Sequence, residues 1–86
     1  MVHSMKSCVR YYRINRRDIA MMRFLVEAYE GIALISTIDA HKGLICLRFH
    51  ADNLEECDMM LKGIGAQLVI EAIDPSKWGL GEELPV

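Results

Sequence analysis

The sequence predicts one α+β domain whose elements follow the order βαββαβ. Four short segments are rich in β-branched and aromatic residues, a composition that favours strands. Two further segments carry apolar residues at helical spacing, and glycines or capping residues separate the elements. A chain of 86 residues is long enough for a single domain of this kind.

The first strand is predicted at residues 8–14, after a frayed terminus at residues 1–6. Asn15 follows the strand at the position of a helix N-cap. Asp18 lies three residues further on, where its charge favours the positive end of the helix dipole. We therefore expect the first helix to run over residues 16–30.

The apolar surface of the first helix is wide. Beyond its first turn, the polar side chains Arg23, Glu27 and Glu30 form one narrow stripe, and the other positions are apolar. An apolar arc of about 100° is enough to pack a helix on one sheet. The sequence therefore predicts that a partner or the C-terminal tail covers this helix on a second side, and that Gly31 ends it.

A hairpin is predicted next, with strands at residues 32–38 and 43–49. Residues 39–43 join them, because Asp39 opens a turn and Gly43 supplies the positive φ before the return strand.

The second helix is predicted to begin at Asp52 or Asn53, in a sequence that fits a capping box, and to end at Gly63 or Gly65. Four residues at helical spacing form its apolar face: Leu54, Cys57, Leu61 and Ile64.

The last strand is predicted at residues 66–73, and Pro75 ends it. The complete order is that of a ferredoxin-like fold, with a four-stranded antiparallel sheet in the order 4-1-3-2 and both helices on one face. The domain spans residues 7–74, and residues 75–86 form a tail. The sheet face away from the helices, termed here the open face, is left without a helix.

The open face is the predicted interface of a homodimer, because short domains often gain stability from self-association. Base stacking on RNA is a less favoured alternative, since this face has a single central aromatic residue. A second alternative is that the tail lays Trp78 and Leu80 on the same surface. The predicted interface residues are Val9, Tyr11, Arg13, Leu44, Cys46 and Arg48.

Positive charge is concentrated in the N-terminal half. Residues 1–43 carry a net charge of +3 and residues 44–86 one of −5, which gives −2 for the chain. Arg16 and Arg17 oppose the dipole of the helix that they begin, so helix propensity does not explain them. We predict that they bind a small anion, the alternative being a solvated turn or an ion pair with Asp18. Nucleic-acid binding is disfavoured, because domains with that role are usually basic overall.

No motif for catalysis, metal binding or a cofactor is found. The three cysteines, Cys8, Cys46 and Cys57, lack C-x-x-C spacing, and the three histidines are scattered. We therefore predict no catalytic residue, no metal and no cofactor. No apolar run approaches the roughly 18 residues of a membrane helix. An odd number of cysteines without a disulfide pattern predicts a cytoplasmic protein.

The segment YRINRRDIAMMRFLVEAYEGIALISTIDAHKGLICL, residues 12–47, resembles a family of short bacterial proteins known only as a domain of unknown function. The resemblance implies a bacterial, cytoplasmic protein and no particular activity. More distantly, the element order resembles amino-acid-binding ACT domains. Those domains carry Pro-Gly between the first strand and the first helix, whereas residues 15–18 here are Asn-Arg-Arg-Asp, and the two arginines favour an anion.

These features predict a non-catalytic module that self-associates, with a small anionic ligand or a protein partner. A nucleic-acid-binding module that uses the basic half is the first alternative, and a small enzyme is the second.

Overall fold

The computed structural model describes residues 6–78, which form the predicted α+β fold. Two α-helices pack on one face of a four-stranded antiparallel sheet. In chain order the strands and α-helices are β1 (Ser7–Ile14), α1 (Ile19–Glu27), β2 (Leu34–Asp39), β3 (Leu44–His50), α2 (Leu54–Gly65) and β4 (Ile70–Ala72). Three short 3-10 turns are Arg16–Asp18, Ala51–Asn53 and Pro75–Trp78.

The sheet has the strand order β2-β3-β1-β4, which is the predicted order 4-1-3-2 read from the opposite edge. All neighbouring strands are antiparallel. β1 pairs with β3 along almost its whole length, from Ser7 opposite His50 to Arg13 opposite Leu44. β4 pairs with β1 over three residues. The long central pair therefore forms the middle of the sheet, and β2 and β4 are its edges.

The hydrophobic core lies between the sheet and the two helices, as the alternation in the strands predicts. Met22 and Val26 of α1 are fully buried, as is Cys57 of α2. Full burial of one such apolar side chain stabilises the fold by about 1.5–3 kcal/mol. The other buried members of the core are Tyr12, Ile14, Ile35, Ile45, Leu47, Phe49, Met60, Leu61 and Ile64.

Arg10 lies on the core-facing side of β1, where alternation predicts an apolar residue. Its guanidinium donates to the carboxylate of Asp58 on α2 at 2.8 Å and lies 5.2 Å from the ring centre of Phe49. The hydrogen bond to Asp58 is the main reason that the pKa of Arg10 is raised above its usual range. Both side chains of this pair are partly exposed, so we expect it to contribute at most about 1 kcal/mol to stability.

Each helix begins with a 3-10 turn that is capped by the residue before it. The Asn15 carboxamide oxygen accepts from the backbone N–H of Arg17 at 3.1 Å, which confirms the predicted cap. The second cap is His50, whose Nδ1 accepts from the N–H of Asp52 at 3.1 Å. Asn53 lies at the N-cap position of α2, as predicted, but its side chain makes no capping hydrogen bond, because the preceding 3-10 turn places the capping contact at His50.

α1 is shorter than the predicted helix of residues 16–30. It begins at Ile19, because the preceding 3-10 turn takes the first three residues. It ends at Glu27, and a separate turn follows in which the N–H of Ile32 donates to the carbonyl of Tyr29 at 3.1 Å. Gly31 has a φ of +78° and lies within this turn, so its positive φ is as expected although it does not border the helix.

β4 is also shorter than predicted, since it begins at Ile70 and not at residue 66. The backbone N–H groups of residues 66–68 donate to carbonyls near the end of α2, which prolongs the turn after that helix. The predicted end of α2 at Gly65 is confirmed.

Candidate functional site

A cleft lies at the end of the sheet where β1 meets the loop of the hairpin, residues 40–43. The N–H of Ile14 donates to the carbonyl of Gly43 at 2.9 Å, which joins the end of β1 to this loop. Gly43 has a φ of +71°, and a Cβ there would overlap the carbonyl oxygen of Ile14. Glycine alone fits this position, and the close approach holds the loop beside the first 3-10 turn.

The cleft has a volume of about 400 Å³ and an excess of basic side chains. It is lined by charged side chains from β1, the first 3-10 turn, the hairpin loop and β4. Its charged or titratable lining residues are Arg13, Arg16, His41, Lys42 and Glu71. Clustered positive charge in a concave site raises the local concentration of anions, so this arrangement favours an anionic ligand.

Arg13 stands at the border between the cleft and the open face. Its Nε donates to the carboxylate of Glu71 at 3.4 Å, and its guanidinium lies 6.0 Å from the ring centre of Trp78. Glu71 thus offsets part of the charge of Arg13, and the indole ring limits the positions that the guanidinium can occupy.

Arg16 contacts the hairpin directly. Its Nη1 lies 3.2 Å from Nδ1 of His41. A guanidinium can only donate hydrogen bonds, so Nδ1 of His41 is the acceptor in this contact. The contact ties two segments that are 25 positions apart in the sequence and fixes Arg16 at the wall of the cleft.

Arg17 does not line this cleft, although the sequence groups it with Arg16. It lines a shallow groove along α1 together with Arg16, Arg23 and Phe24. Arg23 is held there by a hydrogen bond of 3.2 Å to the hydroxyl of Thr37. Arg16 therefore borders both concavities, whereas Arg17 borders only the groove.

The open face carries the six predicted interface residues, which the strand register places side by side. Arg13 and Arg48 are exposed, and Val9 and Tyr11 are half-buried. Leu44 and Cys46 are 2% and 6% exposed. Burial is the main cause that raises the pKa of Tyr11 and of the Cys46 thiol. The remaining exposed apolar surface of this face includes Leu34, which is 71% exposed.

Among residues 6–78, no group of three or more histidine, cysteine or carboxylate side chains is arranged to hold a metal ion. Burial raises the pKa of Cys57, which disfavours its reactive thiolate form. In the same residues, no helix is long and apolar enough to cross a membrane.

Sequence reasoning missed His41 and Lys42 of the hairpin loop and Glu71 of β4 as cleft residues. The sequence places His41 in a solvated turn, and the turn itself is present, since Asp39 accepts from the N–H of Lys42 at 3.1 Å. The predicted strand order already brings this loop to the same end of the sheet as Arg16. That topology is the signal from which the two loop residues are identified.

Comparison with known protein families identifies the family of this chain. The family model described as Domain of unknown function (DUF4911) matches residues 12–67, well over half of the chain. The matched segment includes the first 3-10 turn, the hairpin loop and α2. No curated protein and no solved structure matches the chain.

Proposed function

The chain belongs to the DUF4911 family, and we propose that it is a non-catalytic module that binds a small anion in the cleft beside Arg16. The observation that carries the proposal is that Arg16 and Lys42, from two separate segments, meet at one cleft. No acidic side chain among residues 6–78 forms an ion pair with either of them. Within the described residues no ion pair neutralises their charge, which supports an anionic ligand.

The chemistry of the cleft favours a phosphate, a sulfate or a carboxylate. A guanidinium offers a planar set of N–H donors, and an ammonium adds a compact charge. The contact with His41 engages one nitrogen of Arg16 and leaves its other donors for the ligand. A cleft of about 400 Å³ is within the size range of small-molecule sites.

The proposal is tested by the melting temperature of the full chain with increasing inorganic phosphate. A ligand at 100 times its Kd adds about 2.7 kcal/mol to stability, so the melting temperature rises with phosphate concentration. Arg16→Ala removes the rise. Arg17→Ala is the matched control and retains it, because Arg17 lies outside the cleft. A rise no larger than that with sodium chloride at equal ionic strength contradicts the proposal, as does an unchanged response in Arg16→Ala.

The proposal includes a regulatory or interaction role in a bacterial cytoplasm. The cysteines at positions 8, 46 and 57 are all free thiols, which suits a reducing compartment.

Self-association is a second candidate function, and the exposed apolar side chains favour it. On α1, Phe24 is 66% and Met21 is 49% exposed, as expected from the wide apolar arc of this helix. An isologous dimer covers such a surface symmetrically. A stable one buries at least about 1,000 Å² in total.

Light scattering of the full chain tests this second candidate and locates the interface. Phe24→Glu yields a monomer if the dimer forms through α1, whereas Leu34→Glu does so if it forms through the open face. A monomeric parent chain at high protein concentration contradicts self-association.

The nucleic-acid alternative predicts a different response. Phosphate contacts by the basic half release counterions, so binding to single-stranded RNA falls steeply with salt. Stacking on Tyr11 makes it sensitive to Tyr11→Ala. Absence of binding at low salt excludes this class.

A further inference from the structure

The side of α1 that faces away from the sheet is apolar at its centre. Met22 and Val26 bury the opposite side of the helix in the core. On the outer side, Phe24 is 66% and Met21 is 49% exposed. Exposed apolar side chains that lie together on one helix face are typical of a surface that contacts a partner.

Four exposed residues form one stripe along this side and line the same groove. They are Arg17, Ala20, Phe24 and Glu27, termed here the α1 stripe. Successive members are three, four and three positions apart, which is the spacing of neighbours on a helix surface. This spacing is the same when the stripe is read in reverse. The stripe is basic at one end and acidic at the other, with a large and a small apolar residue between.

We propose that the α1 stripes of two copies of this chain pack antiparallel and form an isologous dimer. The inference rests on the self-association proposed above and identifies its surface. In an isologous contact, each residue of a pair meets its counterpart twice, once from each copy. Antiparallel packing brings Phe24 of each copy to Ala20 of the other. A large side chain then opposes a small one, which suits the interaxial distance of about 8–10 Å between packed helices.

The charges at the two ends of the stripe favour the antiparallel arrangement. Arg17 of each copy lies opposite Glu27 of the other, so two pairs of opposite charge border the apolar centre. A parallel arrangement places like charges together and is repulsive. Within one copy, the two residues are ten positions apart, or about 15 Å along a helix, too far to pair with each other. Among residues 6–78, neither side chain forms an ion pair.

Exchange of the two charges tests the proposed pairing. Sedimentation equilibrium of the full chain at low salt measures the Kd of the dimer. It reports association of folded protomers, so the effect of a substitution on helix stability is not part of the readout. Arg17→Glu and Glu27→Arg each replace two attractive contacts by two repulsive ones, and each raises the Kd about tenfold. The double variant Arg17→Glu/Glu27→Arg restores the pairs in reverse and returns the Kd to within about threefold of the parent.

Glu55→Arg is the matched control. It makes the same change of charge as Glu27→Arg at an exposed position of α2 and leaves the Kd at the parental value. A dimer whose Kd is unchanged by both single reversals keeps self-association but overturns the α1 stripe as its surface. Single reversals that weaken the dimer without rescue in the double variant overturn the antiparallel pairing. A parent chain that is monomeric at every concentration overturns self-association itself, and this inference with it.

Discussion

The two strand-to-helix connections of the domain have the same backbone design and opposite charge. In each, the last residue of a strand or the residue after it caps a 3-10 turn by accepting from the N–H two positions ahead. A backbone hydrogen bond anchors each connection: Ile14 donates to Gly43 in the first, and Ala51 donates to Lys6 in the second. The first connection then carries Arg16 and Arg17, whereas acidic residues begin the second.

This difference distinguishes charged residues that stabilise a helix from charged residues that bind a ligand. Acidic side chains such as Glu55 and Glu56 favour the positive end of a helix dipole, so stability accounts for the second connection. Arg16 and Arg17 have the opposite effect, so stability does not account for the first. Matched substitutions in the two connections test this distinction.

The largest expected effect comes from the anchor of the first connection. Gly43→Ala destabilises the fold by roughly 3 kcal/mol, because the new methyl group overlaps the carbonyl of Ile14 and φ is positive. Gly31→Ala is the control, with a positive φ but open space around it, and costs about 1 kcal/mol. Urea denaturation measures both. Equal losses of stability in the two variants would show that the backbone at Ile14 moves away from the new methyl group at little cost.

Loss of either cap has the next largest effect. Asn15→Ala and His50→Ala each remove a side-chain acceptor for a backbone N–H and lower stability by about 1 kcal/mol. Similar losses in urea denaturation support the equivalence of the two connections. A loss of stability in only one of the two variants would show that the two connections are not stabilised by equivalent caps.

Charge-reversal substitutions change the stability by a smaller amount, and the change has opposite signs in the two connections. Arg17→Glu raises stability by about 0.3–1 kcal/mol, and Glu55→Arg lowers it by a similar amount, because of the helix dipole. Denaturation in 1 M salt removes most of both changes, since salt screens exposed charges. If Arg17→Glu is destabilising, Arg17 has a structural role and the interpretation of the first connection is wrong.

The smallest effect concerns the third 3-10 turn, which is capped in the same way by a side chain that titrates. Hydrogen bonds from Ser76 lower the pKa of Asp74. The turn is therefore stabilised above the unfolded-state pKa of about 3.9, and this contribution is lost as the pH falls through the lower folded-state value. Fluorescence of Trp78, the single tryptophan, should change as this turn loosens in acid.

Asp74→Asn is the matched variant for that measurement, because an amide keeps an acceptor oxygen but has no carboxyl proton to gain. Its fluorescence should lack the acid transition. A transition of the same size in parent and variant assigns the change to another group.

The type and order of the elements are predicted from local sequence, whereas their first and last residues are predicted less accurately. Alternation in β1 correctly predicts that Tyr12 and Ile14 face the core, and Asn15 is a cap as expected. The errors in the starts of α1 and β4 come from short turns, in which a few hydrogen bonds of similar energy compete. His50 as a cap was missed because a histidine acceptor at a strand end is outside the usual capping residues.

The candidate site depends on contacts between distant parts of the chain. Sequence reasoning identified Arg16 from its unfavourable position in the helix dipole, and that residue lines the cleft. Lys42 and His41 were missed, because their own surroundings in the sequence are those of an ordinary turn. Arg17 is the neighbour of Arg16 in the sequence and shares the groove along α1 with it, but only Arg16 reaches the cleft.

The sequence by itself determined the order of the elements, the faces of the strands and the antiparallel sheet, because side-chain periodicity and turn chemistry act over a few residues. The tertiary structure alone decided which charges meet. Arg10 is tolerated on the core-facing side of β1 because α2 brings Asp58 to it across 48 positions. Arg16 faces the hairpin because the crossovers place β1 beside β3, and attraction or repulsion between such groups depends on distances that only the folded chain sets.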